Sequence, residues 1–247
     1  MKTLMTIILT LLLLTTHAEA EPRKKILIVA SNMVDMGDPE KHDARNNLWE
    51  FAPPYHIFVS HGFDVDFVSP KGGKVKFMMD PLGISSYTIK YEGFLSKANS
   101  SLTPAKVDPD DYWGVFIGGG YGLMFDVADN KEVHSIISRV YESGGIVGVG
   151  GHGSAGIANV KLSNGEFLVK GKKVAGFPDS TEKSKSWAKQ GTLLPFFIES
   201  QLNKNGAIAQ NKQTLKDKHK VVIDQRIVST MFLPSAALVA KEMISIK

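Results

Sequence analysis

The chain has 247 residues, a formal net charge of +4 and no cysteine. That length suits one domain with a full hydrophobic core, and without disulfides its stability must come from that core. The charge is mild and the C-terminal lysines (Lys183, Lys185, Lys212, Lys216, Lys220) read as solvated faces or loops, so nucleic-acid binding is not expected.

The N-terminus reads as a secretory signal peptide over residues 1–20. Lys2 gives a positive start, Met5 to Leu14 is an apolar run broken by Thr6 and Thr10, and Ala18-Glu19-Ala20 offers small residues for cleavage. The run is short for a stable membrane anchor, and no later stretch is apolar enough to span a bilayer. An uncleaved anchor is the alternative. The mature chain then runs from Glu21 to Lys247 as one domain, periplasmic or secreted.

Lys25 to Ala30 is a continuous apolar strand of the kind buried on both faces. Leu48 to His61 reads as a helix on the spacing of Leu48, Phe51, Tyr55 and Phe58, with Pro53 and Pro54 starting or kinking it. Phe63 to Val68 is the second strand, closed by Ser69-Pro70-Lys71-Gly72-Gly73. A polar stretch follows to about Asp111, with a short helix expected near Tyr91 to Asn99. Tyr112 to Ile117 is the third strand and runs into Gly118-Gly119-Gly120-Tyr121-Gly122.

Lys131 to Ser143 is a helix stopped by Gly144-Gly145, and Ile146 to Val149 is the fourth strand. Phe167 to Phe177 reads as a β-hairpin around Lys170-Gly171-Lys172, and Leu193 to Leu202 as a helix. Val221–Asp224 and Ile227–Thr230 form two strands about a short turn, and Ser235 to Ile244 is a closing helix. Strand–helix alternation predicts an α/β fold: a mostly parallel sheet with helices on both faces and a small β-hairpin addition. Ligands in such folds sit beyond the carboxyl ends of the strands, where the glycine turns after Ile117 and Val149 both fall.

The turn Val149-Gly150-Gly151-His152-Gly153-Ser154 is the kind of strand-to-helix elbow that presents a nucleophile at the tip of a sheet. The residue at its tip is Gly151, which has no side chain. Ser154 is the nearest hydroxyl but lies a helical turn further on. The same stretch also satisfies G-x-G-x-x-G (Gly151, Gly153, Gly156), a dinucleotide fingerprint. Its mid-chain position, and the lack of an acidic residue ending a strand at the right distance, argue against that use. The histidines show no compact metal spacing, and neither metal nor cofactor is expected.

Leu48-Trp49-Glu50-Phe51-Ala52-Pro53-Pro54-Tyr55, Ser69-Pro70-Lys71-Gly72-Gly73, Gly118 to Gly122 with Met124-Phe125-Asp126, His152-Gly153 and Gly176-Phe177 occur in consistent order. Together they resemble the ThiJ/PfpI superfamily, in its branch of heat-shock-type chaperones and glutathione-independent glyoxalases. The resemblance runs from about Lys25 to the end. It implies the class I glutamine-amidotransferase-like, flavodoxin-type fold and, commonly, a homodimer.

It also implies a constellation of Cys, His and an acid with a second Glu beside the Cys. Glu50, four residues before Pro54, matches that Glu, and His152 matches the His that follows the nucleophile. Glu182 matches the acid best, with Asp179 as the alternative. Gly151 stands at the nucleophile position. Backbone N–H groups of Gly119, Gly120 and His152 would supply the oxyanion donors that such chemistry needs, with Tyr121 beside them as a binding residue. Tyr121 stands where this branch often has His, and Gly118 where it often has Pro.

A thiolate lowered in pKa by an adjacent imidazole would attack an aldehyde or acyl carbon, and a nearby carboxyl would move the proton. Without the sulfur no covalent intermediate forms at Gly151. Two expectations follow. One is an exported, non-catalytic member that binds a small molecule or unfolded protein in a chaperone-like role. The other is an enzyme of glyoxalase or lactate-dehydratase type acting on small aldehydes such as methylglyoxal.

Overall fold

A computed structural model describes residues 24–78, 93–187, 193–217 and 220–246. The expected signal peptide lies outside the described residues. The strands in chain order are β1 (Lys25–Val29), β2 (Asn46–Asn47), β3 (Asp64–Val68), β4 (Phe77–Met78), β5 (Gly114–Ile117), β6 (Ile146–Gly150), β7 (Lys173–Ala175), β8 (Ile208–Gln210), β9 (Val222–Asp224) and β10 (Ile227–Thr230). Six of them form the central sheet in the order β3-β1-β5-β6-β10-β9. All pairings in it are parallel except the β10–β9 edge hairpin.

The helices are α1 (Ala52–Ser60), α2 (Phe94–Asn99), α3 (Leu123–Asp126), α4 (Lys131–Glu142), α5 (Ala155–Ala158), α6 (Asp179–Lys183), α7 (Ile198–Lys204), α8 (Lys212–Leu215) and α9 (Ala236–Ser245). The apolar strands feed two cores because alternate side chains leave opposite faces of the sheet. Leu27, Val29, Val115, Ile117, Val147 and Val149 pack with Val133, Ile136, Ile137 and Val140 of α4. Ile26, Ile28, Phe116 and Val228 pack with Tyr55 and Phe58 of α1 and Val239, Ala240 and Met243 of α9. Helices on both faces explain why these strands read as unbroken apolar runs rather than alternating ones.

The helix expected over Leu48–His61 is divided. Residues Leu48–Glu50 form a 3-10 turn, and the α-helix begins only at Ala52, with the two prolines in its first turn. Pro53 and Pro54 have no N–H to return to Trp49 and Glu50, so the α-helical ladder cannot extend back through them. The Asn47 side chain accepts from the Trp49 amide at 3.1 Å and caps the separate turn. This break leaves Glu50 in a tight corner whose side chain is fully buried.

The expected hairpin at Phe167–Phe177 is not formed. Lys170-Gly171-Lys172 does turn, but only one strand, β7, leaves it, and β7 pairs in parallel with β8 some 35 residues on. Leu168 and Val169 are buried in the core, and the Gly171 amide bonds the Gly206 carbonyl at 2.8 Å. The stretch therefore finds its partner across the chain instead of folding back on itself. The helix expected from Leu193 starts at Ile198, downstream of Pro195.

Candidate active site

Two strand ends and the corner before α1 meet at the carboxyl edge of the sheet. β5 delivers Gly118, Gly119 and Gly120, and β6 delivers Gly150 and Gly151, which opens a 3-10 turn over Gly151–Ser154. Gly151 has φ +44°. That left-handed value is the sharp reversal an elbow needs, and it favours glycine. The Glu50 carboxyl lies directly over both glycines. A Cβ at Gly119 or at Gly151 would overlap its oxygens. The carboxyl thus fills the volume into which a side chain at the elbow would project.

Among the described residues neither Glu50 oxygen has a hydrogen-bond partner, and the residue is 0% exposed. Burial alone pushes its pKa up to about 8. A carboxyl in that state holds its proton at neutrality and gives it up just above. That range suits a group that both takes and returns a proton.

His152 follows the elbow and is buried. Its Nε2 meets Glu182 Oε1 at 2.5 Å. With Glu182 accepting there, Nδ1 is left as the ring's second polar atom. The Tyr121 hydroxyl donates to the other Glu182 oxygen at 3.2 Å. Burial first, and then the Glu182 carboxyl, raise the Tyr121 phenol above its ordinary range. The imidazole is held between rings, stacked on Phe177 at 4.0 Å and tilted against Tyr121 at 4.3 Å. Trp187 packs edge-on against Tyr121 at 5.2 Å.

The two acids singled out at the start of α6 separate clearly. Glu182 reaches His152. Asp179 instead accepts from the Ser200 hydroxyl at 2.5 Å and the Ser200 amide at 3.2 Å, tying α6 to α7. The Ser154 hydroxyl donates to the Gly151 carbonyl at 2.7 Å, so its proton is committed to the elbow's own backbone. Asp126 of the resembling motif closes α3, and its carboxyl accepts from the amide of Asn32, in the loop after β1, at 2.8 Å. Among the described residues no group of His, Asp or Glu is arranged to hold a metal ion.

The family model for DJ-1/PfpI proteins matches residues 44–245. The chain belongs to the DJ-1/PfpI family. Glyoxalase 3 of Candida albicans is 30% identical over 208 residues, spanning 79% of this chain and 86% of the relative. The glutathione-independent glyoxalase HSP31 of Saccharomyces cerevisiae is 29% identical over 169 residues, covering 64% and 70%. Among solved structures, the 24 kDa Rapid Encystment Protein of Francisella tularensis superposes with a TM-score of 0.78 at 25% identity, over 90% of this chain and 98% of that one. Glyoxalase III from Candida albicans gives the same TM-score, 0.78, at 24% identity over 90% and 96%, and supports the fold. The fold is the flavodoxin-like α/β arrangement of this family.

Trp187 and Ser235 were not singled out from the sequence. Trp187 lies in a lysine-rich stretch with no local periodicity, and Ser235 reads as nothing more than the start of the closing helix. Only in the fold does Trp187 meet Tyr121, and does Ala236, the residue after Ser235, abut Gly150.

Proposed function

We propose that this protein is a thiol-free member of the glyoxalase branch, converting small 2-oxoaldehydes such as methylglyoxal, with one water, to 2-hydroxy acids by proton transfer through Glu50. The observation that carries the reading is the buried, unpartnered Glu50 carboxyl wedged over Gly119 and Gly151. Its raised pKa lets it cycle between base and acid, and the named glyoxalases among the relatives supply the substrate class. His152, oriented by Glu182 and Tyr121, is the second polar group available to a bound carbonyl. The test is lactate formation from methylglyoxal by the purified chain. Glu50→Gln should lower the rate by about 10²–10⁴-fold, the usual span for removing a general acid–base. A Glu50→Gln variant with native turnover would refute the assignment.

A second reading is favoured by Gly151 itself: with no nucleophile at the elbow, the chain is a non-catalytic binding or chaperone-like protein. No lactate from the native chain, together with suppressed aggregation of an unfolded client, would select it. Export after cleavage at Ala20, and a homodimer, complete the proposal. Mass spectrometry of an extracytoplasmic fraction should find Glu21 as the first residue, and sedimentation should give twice the chain mass.

A further inference from the structure

Five buried side-chain polar atoms among the described residues lack a protein partner. Three of them are the two oxygens of Glu50 and the hydroxyl of Ser235. Both residues are almost fully enclosed, at 0% and 2% exposure. They also lie on neighbouring structures. The 3-10 turn Leu48–Glu50 packs against the 3-10 turn Leu233–Ser235 that starts α9. Gly150 at the end of β6 locates the junction. A Cβ there would lie 3.4 Å from Glu50 Oε1 and 3.2 Å from the Cβ of Ala236, the residue after Ser235. Unsatisfied polar groups in an interior are costly, and a pair of them on abutting turns points to a polar guest that satisfies both.

The chemistry at Gly151 narrows what that guest is. A thiol would convert the planar aldehyde carbon into a tetrahedral one before any proton moves. No side chain at Gly151 does so, and the Ser154 proton is committed to the backbone. A 2-oxoaldehyde in water carries out the same conversion itself, because its aldehyde carbon adds water to form a gem-diol. The gem-diol presents two O–H donors on one carbon, and a carboxylate presents two acceptors with matching spacing.

We propose that Glu50 and Ser235 together form the binding site for the hydrated form of a 2-oxoaldehyde, and that the hydrate, not the free aldehyde, is the reacting species. This inference rests on the glyoxalase reading above. Ionised Glu50 removes the hydrogen on C1 as a proton, and the C–H electron pair becomes the C1–C2 double bond. The C2 carbonyl π pair moves to its oxygen, which gains a proton relayed through the Ser235 hydroxyl from a C1 hydroxyl. Glu50 then returns its proton to C2, and C1 is left as the carboxyl group. C1 is oxidised, C2 is reduced by the same amount, and the water in the hydrate supplies the second carboxyl oxygen. No thiol, cofactor or outside oxidant enters.

Two experiments test this with the full-length protein. In the first, lactate production from methylglyoxal is followed at rising enzyme and buffer concentrations. Use of the hydrate predicts rates proportional to enzyme throughout and indifferent to buffer. A rate that levels off with enzyme and rises with buffer would show that dehydration to the free aldehyde limits the reaction, overturning the proposal. Ser235→Ala should lower kcat by tenfold or more with an unchanged melting temperature, and Ser235→Thr should restore most of it. A loss of stability with unchanged kcat would mean that Ser235 is only structural.

In the second, trifluoroacetaldehyde hydrate serves as a gem-diol with no 2-oxo group to react, and its 19F signal is titrated with protein. Saturable binding should appear in the native chain and be lost in Glu50→Gln and Ser235→Ala. Should Ser235→Ala fail to fold, Glu50→Gln decides. No saturable binding, or binding untouched by Glu50→Gln, sinks the site. Binding that depends on both residues, in a chain that makes no lactate, would sink the glyoxalase reading and leave the hydrate site standing.

Discussion

Gly151 and Glu50 are two halves of one arrangement. The left-handed backbone at Gly151 leaves no Cβ to accommodate, and the Glu50 carboxyl occupies the space thereby opened. Gly151→Ala therefore meets two penalties: an unfavourable φ for a residue with a Cβ, and overlap with a buried carboxyl. The first is about 1–2 kcal/mol and stays whatever Glu50 is. The second disappears when the carboxyl is cut away. Urea denaturation should show that Gly151→Ala costs clearly more in the native chain than in a Glu50→Ala background. Equal costs in the two backgrounds would mean that the carboxyl has room to step aside. At this scale much was legible in the sequence. Motif register singles out Glu50, His152, Glu182 and Gly151, and the fold brings Glu50 to Gly151 and Glu182 to His152. Ser235 was not found, because a buried hydroxyl without a partner is defined by its surroundings and leaves no local signature.

Three elements are tied together by one carboxylate. Glu182 on α6 takes the His152 imidazole from the turn after β6 and the Tyr121 hydroxyl from the loop after β5. Removing the Tyr121 hydroxyl leaves Glu182 one donor short but still held by His152, so Tyr121→Phe should cost about 1–2 kcal/mol. His152→Ala removes the closer donor and a ring packed between Tyr121 and Phe177. It should cost more, about 2–4 kcal/mol. Thermal melts of the two variants check the order, and a larger loss for Tyr121→Phe would place the burden on the loop rather than the turn. The elements located well from the sequence are the unbroken apolar run of β1, the run of β6 between glycines, and the amphipathic α4 stopped by Gly144-Gly145. The failures have physical causes too. Two adjacent prolines converted the start of an expected helix into a separate turn, and that turn is what aims Glu50 inward. The hairpin at Phe167–Phe177 was misplaced because β7 finds its partner in β8, a pairing that no local pattern announces.

For the molecule as a whole, the same carboxyl couples stability to chemistry in opposite directions. Glu50 is raised from 4.5 to about 8 by burial in the folded state. In the unfolded chain it ionises through its ordinary range. Between those two values the unfolded state has lost the proton and the folded state has kept it. The unfolded state then binds fewer protons, so stability must fall as pH rises. This contribution is fully present below about pH 4.5. It declines by at most about 1.4 kcal/mol per pH unit and levels off once the folded carboxyl has ionised, above about pH 8. Asp126, which burial raises to about 6, adds a slope of the same sign over a lower window, so the comparison must be made against a variant lacking only Glu50. The difference in unfolding free energy between Glu50→Gln and the native chain should grow in favour of the variant from about pH 4.5 to 8 and then stay constant. Catalysis runs the other way. The base form of Glu50 is populated only as pH approaches and passes 8, so kcat/KM for methylglyoxal should climb through that value and then level, while the fold is losing the last of this contribution. The two curves, one from denaturant melts and one from lactate release, should bend at the same pH because one group produces both. A rate profile with its inflection well below pH 7, beside a stability difference that inflects near 8, would separate the two and take the proton transfer away from Glu50.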